Sequence, residues 1–163
     1  MRINSSELLQ QAPDRFQSAG EIIKIITALN FPNKAFAVCG GALMVIEGIK
    51  PSTHDIDLLV EHDFFEYIKK YDDRFQVPEF VPVSMCDKAH CLTYDGVELL
   101  DATGLTHVPN IHQYLTNARP AYGLRWVTPA DTIEWKKLTG REKDLKDIEL
   151  IEDWFLKHGT REF

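Results

Sequence analysis

Long apolar runs are missing from this chain. None approaches the roughly 20 residues needed to span a bilayer, so no membrane partner is expected. Cysteine is scarce as well. Cys39, Cys86 and Cys91 are an odd number with no C-x-x-C pair, which argues against a disulfide framework and against a zinc site. Reduced thiols in a cytoplasmic protein are the expectation. Positive charge is also short, with 18 Lys and Arg against 25 Asp and Glu, a net charge of −7. That excludes sequence-independent nucleic-acid binding through a broad basic face, while a local patch stays open. There is no internal repeat, low-complexity segment or long linker, and Met1-Arg2-Ile3-Asn4-Ser5 does not read as the opening of a secretory signal. What remains is 163 residues, 44% hydrophobic and 26% charged, the make-up of one soluble domain able to bury a core.

The informative stretch is Cys39 to Val60, CGGALMVIEGIKPSTHDIDLLV. At its centre, Asp55-Ile56-Asp57-Leu58 sets two carboxylates two residues apart in an apolar run. On a strand such residues share a face, roughly 7 Å apart at about 3.4 Å per residue, while Ile56 and Leu58 face the other layer. Two hard oxygen ligands on one rigid strand suit Mg²⁺, which takes one or two carboxylates plus substrate phosphates. Upstream, Ala35 to Cys39 reads as a short buried strand ending at Gly40-Gly41, and Ala42 to Glu47 as a helix. A glycine turn opening a helix lets backbone N–H groups approach phosphates. Strand, Gly-Gly, helix, Asp-x-Asp strand is an order that brings phosphate and metal to one place.

The remaining elements frame that stretch. Residues up to about Gln17 carry a short helix and turn, and Ser18-Ala19-Gly20-Glu21 is a capping box before a helix with Ile22, Ile23, Ile26 and Leu29 on one face. Asn30-Phe31-Pro32-Asn33 ends it. Asp63 to Tyr71 reads as an amphipathic helix, and Phe80 to Val83 as an edge strand carrying a proline. Cys91 to Tyr94, Asp95-Gly96 and Val97 to Asp101 form the clearest hairpin signal. Asp101 closes its return strand, where an adjacent antiparallel strand would bring it beside Asp55 and Asp57. A short helix follows near Asn110 to Asn117, then Arg119 to Gly123 as connector and Leu124 to Val127 as a strand. Thr128-Pro129-Ala130-Asp131 starts a helix to about Leu138, Gly140 breaks it, and Lys143 to Lys157 is the last helix. The expected fold is α/β (α+β): a small mixed β-sheet flanked by helices, with residues of about 18–120 as core and a C-terminal strand and helices, about 121–163, packed on it as a single domain.

Taken together, these motifs resemble the polymerase-beta-like nucleotidyltransferase superfamily, whose pattern is an apolar residue, Gly, Gly or Ser, a spacer, then Asp, an apolar residue, and Asp or Glu. Here Cys39-Gly40-Gly41 precedes Asp55-Ile56-Asp57 by thirteen residues, Ala42 to His54, the long end of the spacer range. Gly40-Gly41-Ala42-Leu43, Gly48, Thr53 and Asp55-Ile56-Asp57-Leu58 look most like the minimal, abortive-infection (AbiEii-type) toxin branch. Arg141, Lys143 and Asp144-Leu145-Lys146-Asp147-Ile148 are similar to the ending of that branch, and Lys137-Leu138 to the lysine before it.

The resemblance implies a nucleotidyltransferase fold. It also implies Mg²⁺-dependent transfer of a nucleoside monophosphate from an NTP to a hydroxyl acceptor (RNA, tRNA or protein), with pyrophosphate released. Asp55, Asp57 and Asp101 would be the catalytic and metal-binding acids of a two-metal site. Gly40, Gly41, Thr53, Lys137, Arg141 and Lys143 would bind the nucleotide, and an antitoxin is an implied partner. Relatives commonly carry arginine two residues before the Thr53 position, whereas this chain has Pro51, with Lys50 beside it. That departure keeps open a catalytically inactive binding or antitoxin-like module. An antibiotic-modifying enzyme of the aminoglycoside or lincosamide type is the other alternative. The plainer readings are a solvated basic helix face for Lys137, Arg141 and Lys143, loop-capping hydrogen bonds for Ser52 and Thr53, surface positions for His90, His107, His112 and His158, and core packing for Trp126, Trp135 and Trp154. His54 abuts the acid pair, where contact with a metal or base is the less favoured reading, and His90, His107, His112 and His158 show no ligand-like spacing.

Overall fold

Apolar runs of four or five residues bounded by turn residues are too short for stable helices and suit strands buried on both faces. In the computed structural model, which describes residues 14–79 and 88–159, such runs form the centre of a six-stranded mixed sheet. Helix α1 (Ala19–Ala28) leads to β1 (Phe36–Cys39), α2 (Gly40–Ile46), β2 (Ile56–Val60) and α3 (His62–Tyr71). The hairpin β3 (Cys91–Tyr94) and β4 (Val97–Asp101) follows, then α4 (Ile111–Asn117), β5 (Arg119–Ala121), β6 (Leu124–Trp126), α5 (Pro129–Thr139) and α6 (Glu142–His158). The strand order is β3-β4-β2-β1-β6-β5. Strand β1 runs antiparallel to β2 and parallel to β6, and β2 runs parallel to β4. The fold is therefore mixed α/β, and among the described residues no helix is long and apolar enough to cross a membrane.

Local chemistry sets the boundaries. Ser18 Oγ accepts from the Glu21 N–H at 3.1 Å, as the capping box requires. The hairpin turns on Asp95 and Gly96 at φ 47° and 83°, the two positive values of a type I′ turn. Thr128 Oγ1 accepts from the Asp131 N–H at 3.1 Å to start α5, and Gly140 ends it at φ 66°. Two expectations differ from the structure. Arg119–Ala121 is a strand paired with Leu124–Trp126, not a connector; Tyr122 and Gly123, at φ 54° and 74°, make the tight turn that joins them. The last helix starts at Glu142 and runs to His158, one residue longer at each end. The helix expected in the first residues, the edge strand at Phe80 and Cys86 fall wholly or mostly outside the described residues.

Strand alternation sorts side chains into two cores. Val38, Ile56, Leu58, Val60 and Leu99 face α1, α2 and α3, with Ile22, Ile26 and Phe65 packed against them. Cys39, Leu59, Leu100 and Val127 face the other layer with Ile111 and Tyr114 of α4, and Trp135 of α5 packs onto that cluster. The C-terminal helices are fastened by buried charge. Asp147, 2% exposed, takes Lys136 Nζ at 2.9 Å and also Lys50 from the loop after α2. Asp144, 1% exposed, takes Arg141 Nε at 2.8 Å. Burial pushes the Asp147 carboxyl up, but Lys136 and Lys50 outweigh it and hold the carboxyl below its ordinary value.

Removing one member of a buried ion network strands the others in low dielectric. Asp147→Ala, which takes the carboxylate partner from Lys50 and leaves Lys136 only Asp144 at 3.7 Å, should lower the unfolding free energy by about 3 kcal/mol in urea titration. A loss within about 0.5 kcal/mol would show that α6 is held by its apolar stripe alone.

Candidate functional site

The site grows from the N-terminal end of β2. Asp57 is the second residue of that strand and is opposite Cys39 of β1 on one side and Glu98 of β4 on the other. The period of two puts Asp57 and Leu59 on the face opposite Ile56 and Leu58. Asp55 lies two residues earlier, just before the strand, on the same side as Asp57. Because β2 and β4 are parallel, the acid delivered next to Asp57 is Glu98.

Asp101 does not join them. The antiparallel placement expected from the sequence is replaced by parallel pairing, which sets Asp101 opposite Val60 at the far end of both strands. It also has the parity of Val97 and Leu99, so it points to the other face of the sheet. Glu98 was legible in principle: Val97-Glu98-Leu99 is a single polar residue breaking an apolar strand, and the parity that puts Leu99 in one core puts Glu98 on the opposite face.

Two glycines close the floor. Gly40 turns the chain from β1 into α2 at φ 64°, and a Cβ there would meet Asp57 Oδ2 at 2.8 Å. A Cβ on Gly41 would meet Thr53 Oγ1 at 2.1 Å. Only glycine lets the backbone pass this close to both side chains. Thr53 itself is nearly buried; its hydroxyl donates to the Asp55 carbonyl at 3.2 Å, and its backbone pairs with Phe16. It shapes the loop that presents Asp55.

The basic residues divide. Arg141 lines a small cavity with Gly40, Asp57, Trp135 and Lys136, and its guanidinium already grips Asp144. Lys143 acts on the Asp55 and Asp57 carboxylates together. Lys137 is exposed and turned away, and its neighbour Lys136 takes the inward position. One step along a helix rotates a side chain by about 100°, so adjacent lysines face different surroundings. The cavity, ≈ 50 Å³, is too small for a nucleotide-sized ligand; any such ligand would lie at its mouth over Gly40.

Electrostatically, the site is strained in one direction. Burial first, and the Asp55 carboxylate second, push the Asp57 carboxyl up to about 6, against a hydrogen bond with Glu98 and the pull of Lys143 and Lys136. Asp55 is raised too, by burial above all, with His54 and Lys143 opposing. Asp57 Oδ1 is buried with no hydrogen-bond partner. An orphaned carboxylate oxygen with two further carboxyls beside it suits a hard divalent cation, which would supply the missing positive charge. Cys39 is different: its thiol donates weakly to the Asp57 carbonyl at 3.4 Å, and burial pushes its pKa well up, so it is a packing residue. Comparison of the chain with protein-family models, curated proteins and solved structures finds no match.

Asp57→Asn removes the titration and keeps the shape. The folded carboxyl holds its proton to about pH 6, whereas an unfolded aspartate releases it near pH 4. Its contribution to stability is therefore full below about pH 4 and lost as pH rises through about 6. The variant should be more stable than the wild-type chain at pH 8 by about 1–2 kcal/mol, with the gap closing as pH falls to about 4. Thermal melts at both pH values check this; a variant less stable at pH 8 would contradict it.

Proposed function

We propose that this chain is a Mg²⁺-dependent nucleotidyltransferase of the polymerase-beta-like kind, in the minimal, AbiEii-like branch, with Asp55, Asp57 and Glu98 as its acids. The observation that carries the reading is the unpartnered, buried Oδ1 of Asp57. It lies in a site where Asp55, Glu98 and the Gly40 turn converge.

The proposed reaction joins an acceptor hydroxyl oxygen to the α-phosphorus of an NTP and breaks the bond from that phosphorus to the pyrophosphate oxygen. Divalent ions held at the site would supply positive charge to offset the charge that develops on the attacking and leaving oxygens. Asp55 and Asp57 would hold those ions, and Glu98, not Asp101, would take the hydroxyl proton. Gly40 and Gly41 bring backbone close to where the β- and γ-phosphates would rest. Lys136, Arg141 and Lys143 are the cations that would offset the triphosphate. The proposed acceptor is a hydroxyl-bearing RNA, tRNA or protein, with an antitoxin as the regulatory partner.

A second reading has one observation in its favour. Pro51 stands where relatives commonly carry arginine, and Lys50 beside it is committed to Asp147. A chain that kept the fold and lost the transfer reaction would bind a protein partner instead.

Calorimetric titration of each NTP with Mg²⁺ separates the two. The enzyme reading predicts metal-dependent binding of at least one NTP, weakened at least about tenfold in Asp55→Asn/Asp57→Asn and left unchanged in Asp101→Asn if that variant folds. No binding of any NTP by the wild-type chain would favour the partner-binding reading.

A further inference from the structure

At the other end of β2 and β4, and on the opposite face of the sheet, three side chains from distant parts of the sequence meet. Asp101 is fully buried. Its Oδ1 accepts from the Thr103 N–H at 3.0 Å and from the Thr103 hydroxyl at 2.8 Å. Its Oδ2 lies 2.8 Å from His62 Nδ1 and 2.9 Å from His90 Nδ1. The three ligand atoms all fall within 4.8 Å of one another. The rings are partly open to solvent, with 45% of the His62 side chain and 30% of the His90 side chain exposed.

We propose that His62, His90 and Asp101 form a binding site for one zinc-type divalent ion, separate from the carboxylates at the head of β2. Two imidazoles and one carboxylate are the donor set that favours zinc over Mg²⁺, which prefers oxygen alone. A tetrahedral ion with bonds of about 2.0–2.1 Å sets its ligands about 3.3 Å apart. The observed spacings of 2.8 and 2.9 Å would open by a few tenths of an ångström as the ion replaces the shared protons. Three protein ligands and a solvent-facing side leave room for a water as the fourth.

The turn after β4 is built to hold this arrangement. Asp101 caps a short 3-10 turn, Ala102–Gly104, through Thr103, and Thr103 fixes the carboxylate as an outer-shell partner would. Gly104 packs against His90 so closely that a Cβ would lie 2.2 Å from the His90 Cβ. Burial pushes the Asp101 carboxyl up, but the bonds from His62, His90 and Thr103 outweigh it and keep the carboxylate ionised. One four-residue turn thus carries a ligand, its clamp and the seat of a second ligand.

Titration of Co²⁺ into the full chain, with millimolar Mg²⁺ present to occupy oxygen-only sites, tests the proposal by visible absorption. The expected result is one equivalent of Co²⁺ with the intense d–d bands of a four-coordinate site, displaced by Zn²⁺ and retained in Asp57→Asn. Affinity should fall at least about tenfold in both His62→Ala and His90→Ala. His62→Gln, at the more exposed ligand, is the second variant if either alanine form loses its native circular dichroism. Absence of the bands in the wild-type chain, their persistence in the folded histidine variants, or their loss in Asp57→Asn would overturn the assignment.

Discussion

A carboxylate set among apolar strands is costly unless something compensates for it, and Asp57 is incompletely compensated. Gly40 and Cys39 press on it from β1 and α2, Glu98 from β4, and its Oδ1 has no hydrogen-bond partner. Burial and Asp55 together hold its proton to about pH 6. The surroundings read as an arrangement for supplying positive charge to that one position. Lys136, Arg141 and Lys143 come from the C-terminal helices, which the buried Asp144 and Asp147 pairs fix in place. Asp101, by contrast, is hydrogen-bonded on both oxygens.

That contrast between two buried aspartates organises the sheet. Both lie on the β2–β4 pair, at opposite ends and on opposite faces. Asp57 is raised and short of partners; Asp101 is lowered and surrounded by them. The first suits a hard cation, the second a softer ion held by imidazole. Parallel pairing of β2 with β4 is what separates them. Antiparallel pairing would have put Asp101 near Asp57.

Much of this was legible before any coordinates. Capping residues located α1 and α5, Asp95-Gly96 located the hairpin, and the apolar runs of β1 and β2 located the sheet centre, because each rests on chemistry within a few residues. Asp55 and Asp57 share a face for the same local reason. Strand direction is not local. No residue near Asp101 signals that β4 runs parallel to β2, so Asp101, expected beside Asp55 and Asp57, lies at the far end of the strand pair and on the other face. Which of Lys136 and Lys137 faces the cavity is not local either; it is decided by how α5 packs through Trp135 onto the second core. His62 and His90 lie far apart in sequence, and only the fold brings them to Asp101.

The central claim is that Asp55 and Asp57 hold divalent ions for a bound triphosphate, with Glu98 beside them. Its most direct test is a crystal of the chain grown with Mn²⁺ and a non-hydrolysable NTP analogue, read by anomalous scattering at the manganese edge. The account predicts an anomalous peak bonded to Asp57 Oδ1 and Asp55, with Glu98 beside it and the phosphates over Gly40 and Gly41. Bound analogue with no manganese at those carboxylates, or manganese there with the triphosphate elsewhere, would contradict it.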